Sequence, residues 1–172
     1  MIEIDILDDR PEGPSEAGDA YRPDRIRRLV ERIVTDAGYR DAEISIAIVD
    51  DARMRALNAE YLGHDYSTDV LSFRLDSEAG GRAANAGARL EGELIVCRDT
   101  ARRGAAACGW DAADELLLYI AHGTLHLIGH DDATDSGRLA MRRAETEYLG
   151  RIDARLGEVH EATWRRVAID DP

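Results

Sequence analysis

The sequence predicts an α+β fold, α/β-like in its first half, with a small mixed, mostly parallel four-stranded sheet packed with about five helices. Two observations predict it. Strand and helix patterns alternate through the first hundred residues, which favours a mainly parallel sheet, and helical patterns dominate the remainder of the chain. A chain of 172 residues can also bury one substantial core.

Ile2, Ile4 and Ile6 alternate with Glu3 and Asp5, the period of a half-buried strand. A polar stretch over 8–20, with Pro11, Gly13, Pro14 and Gly18, reads as a loop. Pro23 and Asp24 open a helix that places Ile26, Leu29, Val30, Ile33 and Val34 on one face and stops near Gly38. Ile44, Ile46 and Ile48 mark a second strand, and an aspartate cap starts a helix over 51–62 with Met54 and Leu57 inward. Strands are expected next over 70–75 and 94–97. The Gly- and Ala-rich segment between them, about 78–89, lacks periodicity and reads as a surface excursion. Helices are expected over 100–108, 111–128 and 135–156, then a short helical tail within about 157–172. The length suits a single domain over 1–172.

Composition excludes several function classes. No run approaches the roughly 18 apolar residues of a spanning helix, and the acidic, alternating start does not resemble a targeting peptide. Cys97 and Cys108 have neither metal-motif spacing nor the density of a secreted scaffold, so a reducing, cytoplasmic setting is expected. The formal net charge is −13, and all 22 basic residues are arginine. Bulk attraction to nucleic acid is therefore not expected. An RNA substrate would need a local arginine patch, such as Arg98, Arg102 and Arg103 or Arg142 and Arg143.

His122, His126 and His130 lie within nine residues, in His122-Gly-Thr-Leu-His126-Leu-Ile-Gly129-His130-Asp131-Asp132. Asp111 can cap the helix that carries the first two, and Asp114 suits its positive end. Residues four apart lie about 40° around and about 6 Å along a helix, so both imidazoles can reach one ion, as in zinc enzymes. Gly129 can reverse the chain and bring Asp131, Asp132 or His130 to the same ion. Three protein ligands with one position left to water is a catalytic arrangement. The competing reading, two packed or surface histidines, is disfavoured because unpaired imidazoles are costly in an apolar helix. Gly123 stands where an H-E-x-x-H protease has its glutamate base, which disfavours a zinc peptidase-like hydrolase.

These residues resemble the bacterial YbeY family, single-strand-specific endoribonucleases of ribosomal RNA maturation. The family signature H-G-x-L-H-L-x-G-Y-D-H is matched from His122 to Asp132. A second block, T-D-V-L-S-F after a leucine-asparagine helix, is matched by Leu57-Asn58 and Thr68-Asp69-Val70-Leu71-Ser72-Phe73, and Gly92-Glu93-Leu94 resembles the family's G-D-I. The likeness runs from Ile2 to about Leu156. It implies one zinc ion (Zn2+) on His122, His126 and a third ligand. Asp132 aligns with the family's third histidine, and His130 with its tyrosine, which leaves His130 a rival ligand. A His-His-Asp site carries one more negative charge than three neutral imidazoles and opens the site to other divalent metals.

The resemblance further implies that Thr68, Asp69 and Ser72 line the cleft, against an ordinary reading of turn capping and strand packing. The family's Y-R-G motif reads Tyr61-Leu62-Gly63 here, so its arginine is missing, and His64 or an arginine of 98–103 is a candidate substitute. Implied partners are single-stranded or ribosomal RNA and the small ribosomal subunit, with cleavage in 16S rRNA 3′-end processing and neither membrane nor DNA binding. The alternative is a ribosome-assembly factor, weak in catalysis, whose metal braces the fold.

Overall fold

The computed structural model describes residues 1–9, 21–75 and 89–152. Its elements are β1 (Ile2–Asp8), α1 (Pro23–Asp36), β2 (Asp41–Val49), α2 (Asp51–Leu62), β3 (Val70–Arg74), β4 (Arg89–Cys97), α3 (Arg98–Cys108), α4 (Ala112–Leu127) and α5 (Asp135–Ile152). The strand order is β1-β2-β4-β3, with β1, β2 and β4 parallel and the edge strand β3 antiparallel to β4. Four strands, mostly parallel, with five helices are what the sequence patterns predict.

The main core lies on one face of the sheet. There Ile44, Ile46 and Ile48 of β2 and Leu90, Leu94 and Val96 of β4 meet the apolar stripe of α1 and the nearly all-buried α4. An all-round apolar helix needs neighbours on every side, and α4 has them in α1, α3, α5 and the β3–β4 half of the sheet. Arg25 of α1 pairs with Asp114 of α4 at 2.8 Å, satisfying two charges at that largely buried contact. On the opposite face α2 covers Leu71, Ile95 and Cys97 with Met54 and Leu57. Gly92 in β4 has a packing reason: a Cβ there would stand 2.7 Å from Leu127 Cδ1, so its absence lets the end of α4 settle onto the sheet.

Several boundaries differ from expectation. β4 begins at Arg89, not 94, because it lies between β2 and β3 and is hydrogen-bonded on both sides, so ladder pairing overrides the polar Glu91 and Glu93. Arg89 therefore belongs to a strand, and the rest of the expected 78–89 excursion lies outside the described residues. α3 starts two residues early, with Cys97 Sγ accepting from Thr100 N at 3.5 Å. Asp111 occupies the N-cap of α4 but makes no side-chain cap. Its carbonyl accepts from Asp114 and Glu115 instead. The 10–20 loop, the end of the last helix beyond 152 and the tail also lie outside the described residues. No described helix is long and apolar enough to cross a membrane.

One polar knot fastens α2, α3 and the loop before β3. Asp51 N donates to Asp99 Oδ2 at 2.9 Å, while Asp51 Oδ1 accepts from Ser67 Oγ and Arg103 Nη2, each at 2.9 Å. The Arg103 guanidinium, outweighing burial, holds the Asp51 carboxyl well below the usual carboxylate range. A depressed carboxylate contributes stability above its unfolded-state value of about 3.9 and loses it as pH falls through the folded value. Asp51→Asn should therefore cost about 1 kcal/mol at pH 7, the solvent-screened size for such a pair. Urea midpoints measured from pH 7 down to about 3 should show the difference between the two proteins shrinking.

Candidate metal centre

α4 places His122 and His126 one turn apart, both partly buried. Their rings meet edge to face with centroids 4.5 Å apart, and the two Nε2 atoms are 3.0 Å apart. Beyond Ile128 the chain reverses at Gly129, whose φ of 96° lies in the left-handed region that favours glycine. His130 N then returns to Leu125 O at 2.9 Å. That bend delivers Asp132, with Oδ2 3.7 Å from His122 Nε2 and Oδ1 3.8 Å from His126 Nε2. Donor atoms of a tetrahedral zinc site with bonds near 2.0–2.1 Å stand roughly 3.3 Å apart. Each ring thus has a carboxylate oxygen of Asp132 within about half an ångström of coordination spacing, a different oxygen for each ring.

Hydrogen bonds on the far side of each ring decide what its near side presents. His126 Nδ1 lies 3.0 Å from His130 O, and a carbonyl only accepts, so Nδ1 carries the proton and Nε2 of the neutral ring is a lone pair. His122 Nδ1 lies 2.7 Å from Oε1 of Glu145, a fully buried side chain on α5, and donates to it when Glu145 is ionised. In the tautomers that take a cation both Nε2 atoms offer a lone pair beside the Asp132 carboxylate, and in the protonated form of His122 the same 3.0 Å contact is a hydrogen bond donated to His126.

Burial pulls His126 below the ordinary imidazole range, and the neighbouring His122 adds to the effect. Burial also pulls on His122, but the hydrogen bond and charge of Glu145 outweigh it and raise that ring. Glu145 itself is pushed up to about 7 by burial, against the pull of His122.

The turn that carries Asp132 is itself tied down. Thr134 Oγ1 accepts from Gly137 N at 3.0 Å at the start of α5, and Asp131 Oδ1 accepts from Ala133 N at 3.0 Å. Arg138 Nη1 donates to the carbonyls of Asp132 and Ala133 at 3.1 and 3.3 Å. A Cβ on Gly137 would stand 2.3 Å from Asp131 O, so only glycine lets the turn close this tightly over the helix.

Of the residues expected from the sequence, His122, His126 and Asp132 converge, and they are the one such group among the described residues. The His130 ring is not in that group; its carbonyl orients His126 instead. Ser72 packs against α4 at the residue after His122, with Oγ 2.9 Å from where a Cβ of Gly123 would be. Thr68 Oγ1 donates to Asp69 Oδ1 at 3.0 Å and Val70 N donates to the same oxygen at 2.8 Å, so this pair caps the start of β3. Asp69 is nonetheless close enough for its charge to raise His122.

His64 is exposed and stacked on Tyr66. Leu62 is exposed at the end of α2. Arg98 meets Asp8 and Asp9, Arg102 meets Asp99, and Arg103 meets Asp51, so carboxylates engage the whole 98–103 cluster. Sequence reasoning missed Glu145, Gly137 and Arg138. The first had a signal: Met141, Glu145 and Leu149 are spaced by four, which puts an acid on the buried stripe of α5.

A mixed sheet with a helix-borne histidine pair and an aspartate beyond the helix end defines an α+β protein with a donor group that could hold a metal ion, as in metal-dependent hydrolases. The profile of the family Endoribonuclease YbeY matches residues 16–153. Endoribonuclease YbeY of Salinibacter ruber is 34% identical over 149 residues, covering 87% of this chain and 91% of that protein. The Bacillus licheniformis protein of the same name is 33% identical over 152 residues, 86% of this chain and 93% of its own. A Thermotoga maritima protein solved in solution shares the fold, with a TM-score of 0.56 at 24% identity, covering 100% of this chain and 97% of that one. The chain belongs to the Endoribonuclease YbeY family.

Two substitutions probe the supports. Glu145→Gln should weaken affinity for a divalent ion by about tenfold or more, measured by competition with a chromophoric chelator. Gly137→Ala should weaken it too, by displacing the turn, while the helical circular dichroism of the protein is retained.

Proposed function

We propose that this chain is a metal-dependent endoribonuclease that cuts single-stranded RNA, with His122, His126 and Asp132 holding one divalent ion, zinc by its donor set. Family membership supports the reaction class. The observation that carries the metal role is the convergence of two Nε2 atoms, 3.0 Å apart, on the Asp132 carboxylate. When bound, the ion supplies Lewis-acid chemistry: it polarises a phosphoryl oxygen and makes water more acidic.

The protein's own groups do the rest. Glu145 and the His130 carbonyl fix the tautomer and aim of the two rings, and Arg138 and Gly137 hold Asp132 in reach. Ser72, which packs against α4 beside His122, would donate its hydroxyl hydrogen to a phosphate oxygen. Asp132 in place of a neutral imidazole adds negative charge, so bound water is less acidified than at three histidines and the site accepts metals beyond zinc. With Gly123 following His122, that position carries no glutamate base, which separates the site from H-E-x-x-H peptidases. Ribosomal RNA is the proposed substrate, cut at the 3′ end of 16S rRNA on the small ribosomal subunit in the cytoplasm.

Cleavage of a single-stranded oligoribonucleotide should occur with metal-loaded protein. It should fall on the order of 100-fold or more with Asp132→Ala or after chelation, since a metal supplies several kcal/mol of charge stabilisation. Equal cleavage by all three samples would indicate a contaminating nuclease. A sharp fall in melting temperature on chelation, with RNA intact throughout, would instead make the ion a brace for an assembly factor.

A further inference from the structure

The end of α2 and the loop that joins it to β3 hold large side chains out to solvent. Tyr61, Leu62 and Tyr66 are each more than half exposed, at 56%, 53% and 51%. The His64 and Tyr66 rings are stacked, 5.3 Å between centroids and 11° between planes, with Tyr66 OH 3.3 Å from His64 Nδ1. Tyr61 leans on Phe73 of the edge strand at 5.1 Å.

This display is pinned from beneath. Buried Asn58 donates Nδ2 to Tyr66 O at 2.9 Å, Ser67 is tied to Asp51, and Gly63, with a φ of 75°, ends α2 while His64 N returns to Asn58 O. Two pairs of exposed large side chains within six residues, one of them a ring stack on a hydrogen-bonded loop, offer flat faces on which another ring can stack.

Charge selects the occupant. The molecule carries −13 overall, and the arginines beside the loop are committed, Arg55 to Asp65 at 2.6 and 2.8 Å and Arg103 to Asp51. A phosphate clamp is therefore a poor account of how this surface takes RNA, whereas unpaired bases stack on aromatic rings whatever the backbone charge. Position agrees. Tyr66 precedes Asp69 by three residues, a reach of at most about 10 Å, and the Asp69 charge already acts on His122.

We infer that Tyr66 with His64, and Tyr61 with Leu62, form a platform on which bases flanking the cleaved bond of a single-stranded RNA stack, serving where Leu62 leaves no arginine. This inference rests on the RNA-cleaving reading above. Duplex RNA, whose bases are already stacked, would be excluded by the same surface.

The test mixes metal-loaded protein in stopped flow with a single-stranded octaribonucleotide carrying 2-aminopurine, read within the first turnover, and assays cleavage of the same RNA in parallel. Wild type and Tyr66→Phe should quench the probe and bind with a shallow salt dependence. Tyr66→Ala and Tyr61→Ala should lose quenching and weaken binding about tenfold or more, with metal affinity and melting temperature unchanged. Wild-type affinity in both alanine variants, with cleavage intact in the parent, would overturn the platform and leave the nuclease standing. Failure of the parent to bind or cut RNA would overturn both. A dimer that sediments as monomer after Tyr66→Ala, with RNA binding unchanged, would assign the patch to a second copy and overturn the inference.

Discussion

Two imidazoles held with their Nε2 atoms 3.0 Å apart beside a carboxylate are the constraint around which the rest is arranged. The Nδ1 of each ring is committed, one to a buried glutamate and one to a backbone carbonyl, so both Nε2 atoms are aimed at the same point beside Asp132. In the form that takes a cation both present lone pairs there, and otherwise one ring donates to the other along the same line. A cation bound there would be linked to folding, because only the folded chain gathers its donors.

The surrounding architecture makes that cost tolerable. α4 is rigid because apolar neighbours surround it, and its floor is built close: Gly123 and Gly92 let β3, β4 and the helix approach within distances that a side chain would prevent. α5 contributes less to the apolar core than α4, but it carries both the buried acid behind His122 and the glycine over which the ligand turn closes. The metal centre is therefore a property of the α4–α5 corner rather than of one helix. The edge strand β3 borders it with Ser72 on one face while Phe73 supports Tyr61 on the other.

An acidic protein that acts on RNA faces a physical difficulty, because phosphate neutralisation usually supplies the affinity. Its arginines do not resolve it in the obvious place. Those of α3 are consumed by aspartates that tie α3 to β1 and α2, so they serve the fold. Stacking does not depend on net charge, and the pinned rings after α2 supply it next to the centre.

By itself the sequence determined the element types and order, the apolar faces, the histidine pair and the bend after it. These depend on local periodicity and on glycine's freedom at positive φ, both properties of neighbouring residues. Tertiary structure decided what depends on distant partners. Central pairing lengthened β4 through polar residues, Asp111 lost its side-chain cap, and the 98–103 arginines met carboxylates up to 90 positions away. It also set Asp132, rather than the His130 ring, among the converging donors and put Glu145 behind His122 from 23 residues away. A spacing of four places two candidate ligands on one helix face, but the third donor and the acid behind the pair are set by how two helices pack, which no local pattern encodes.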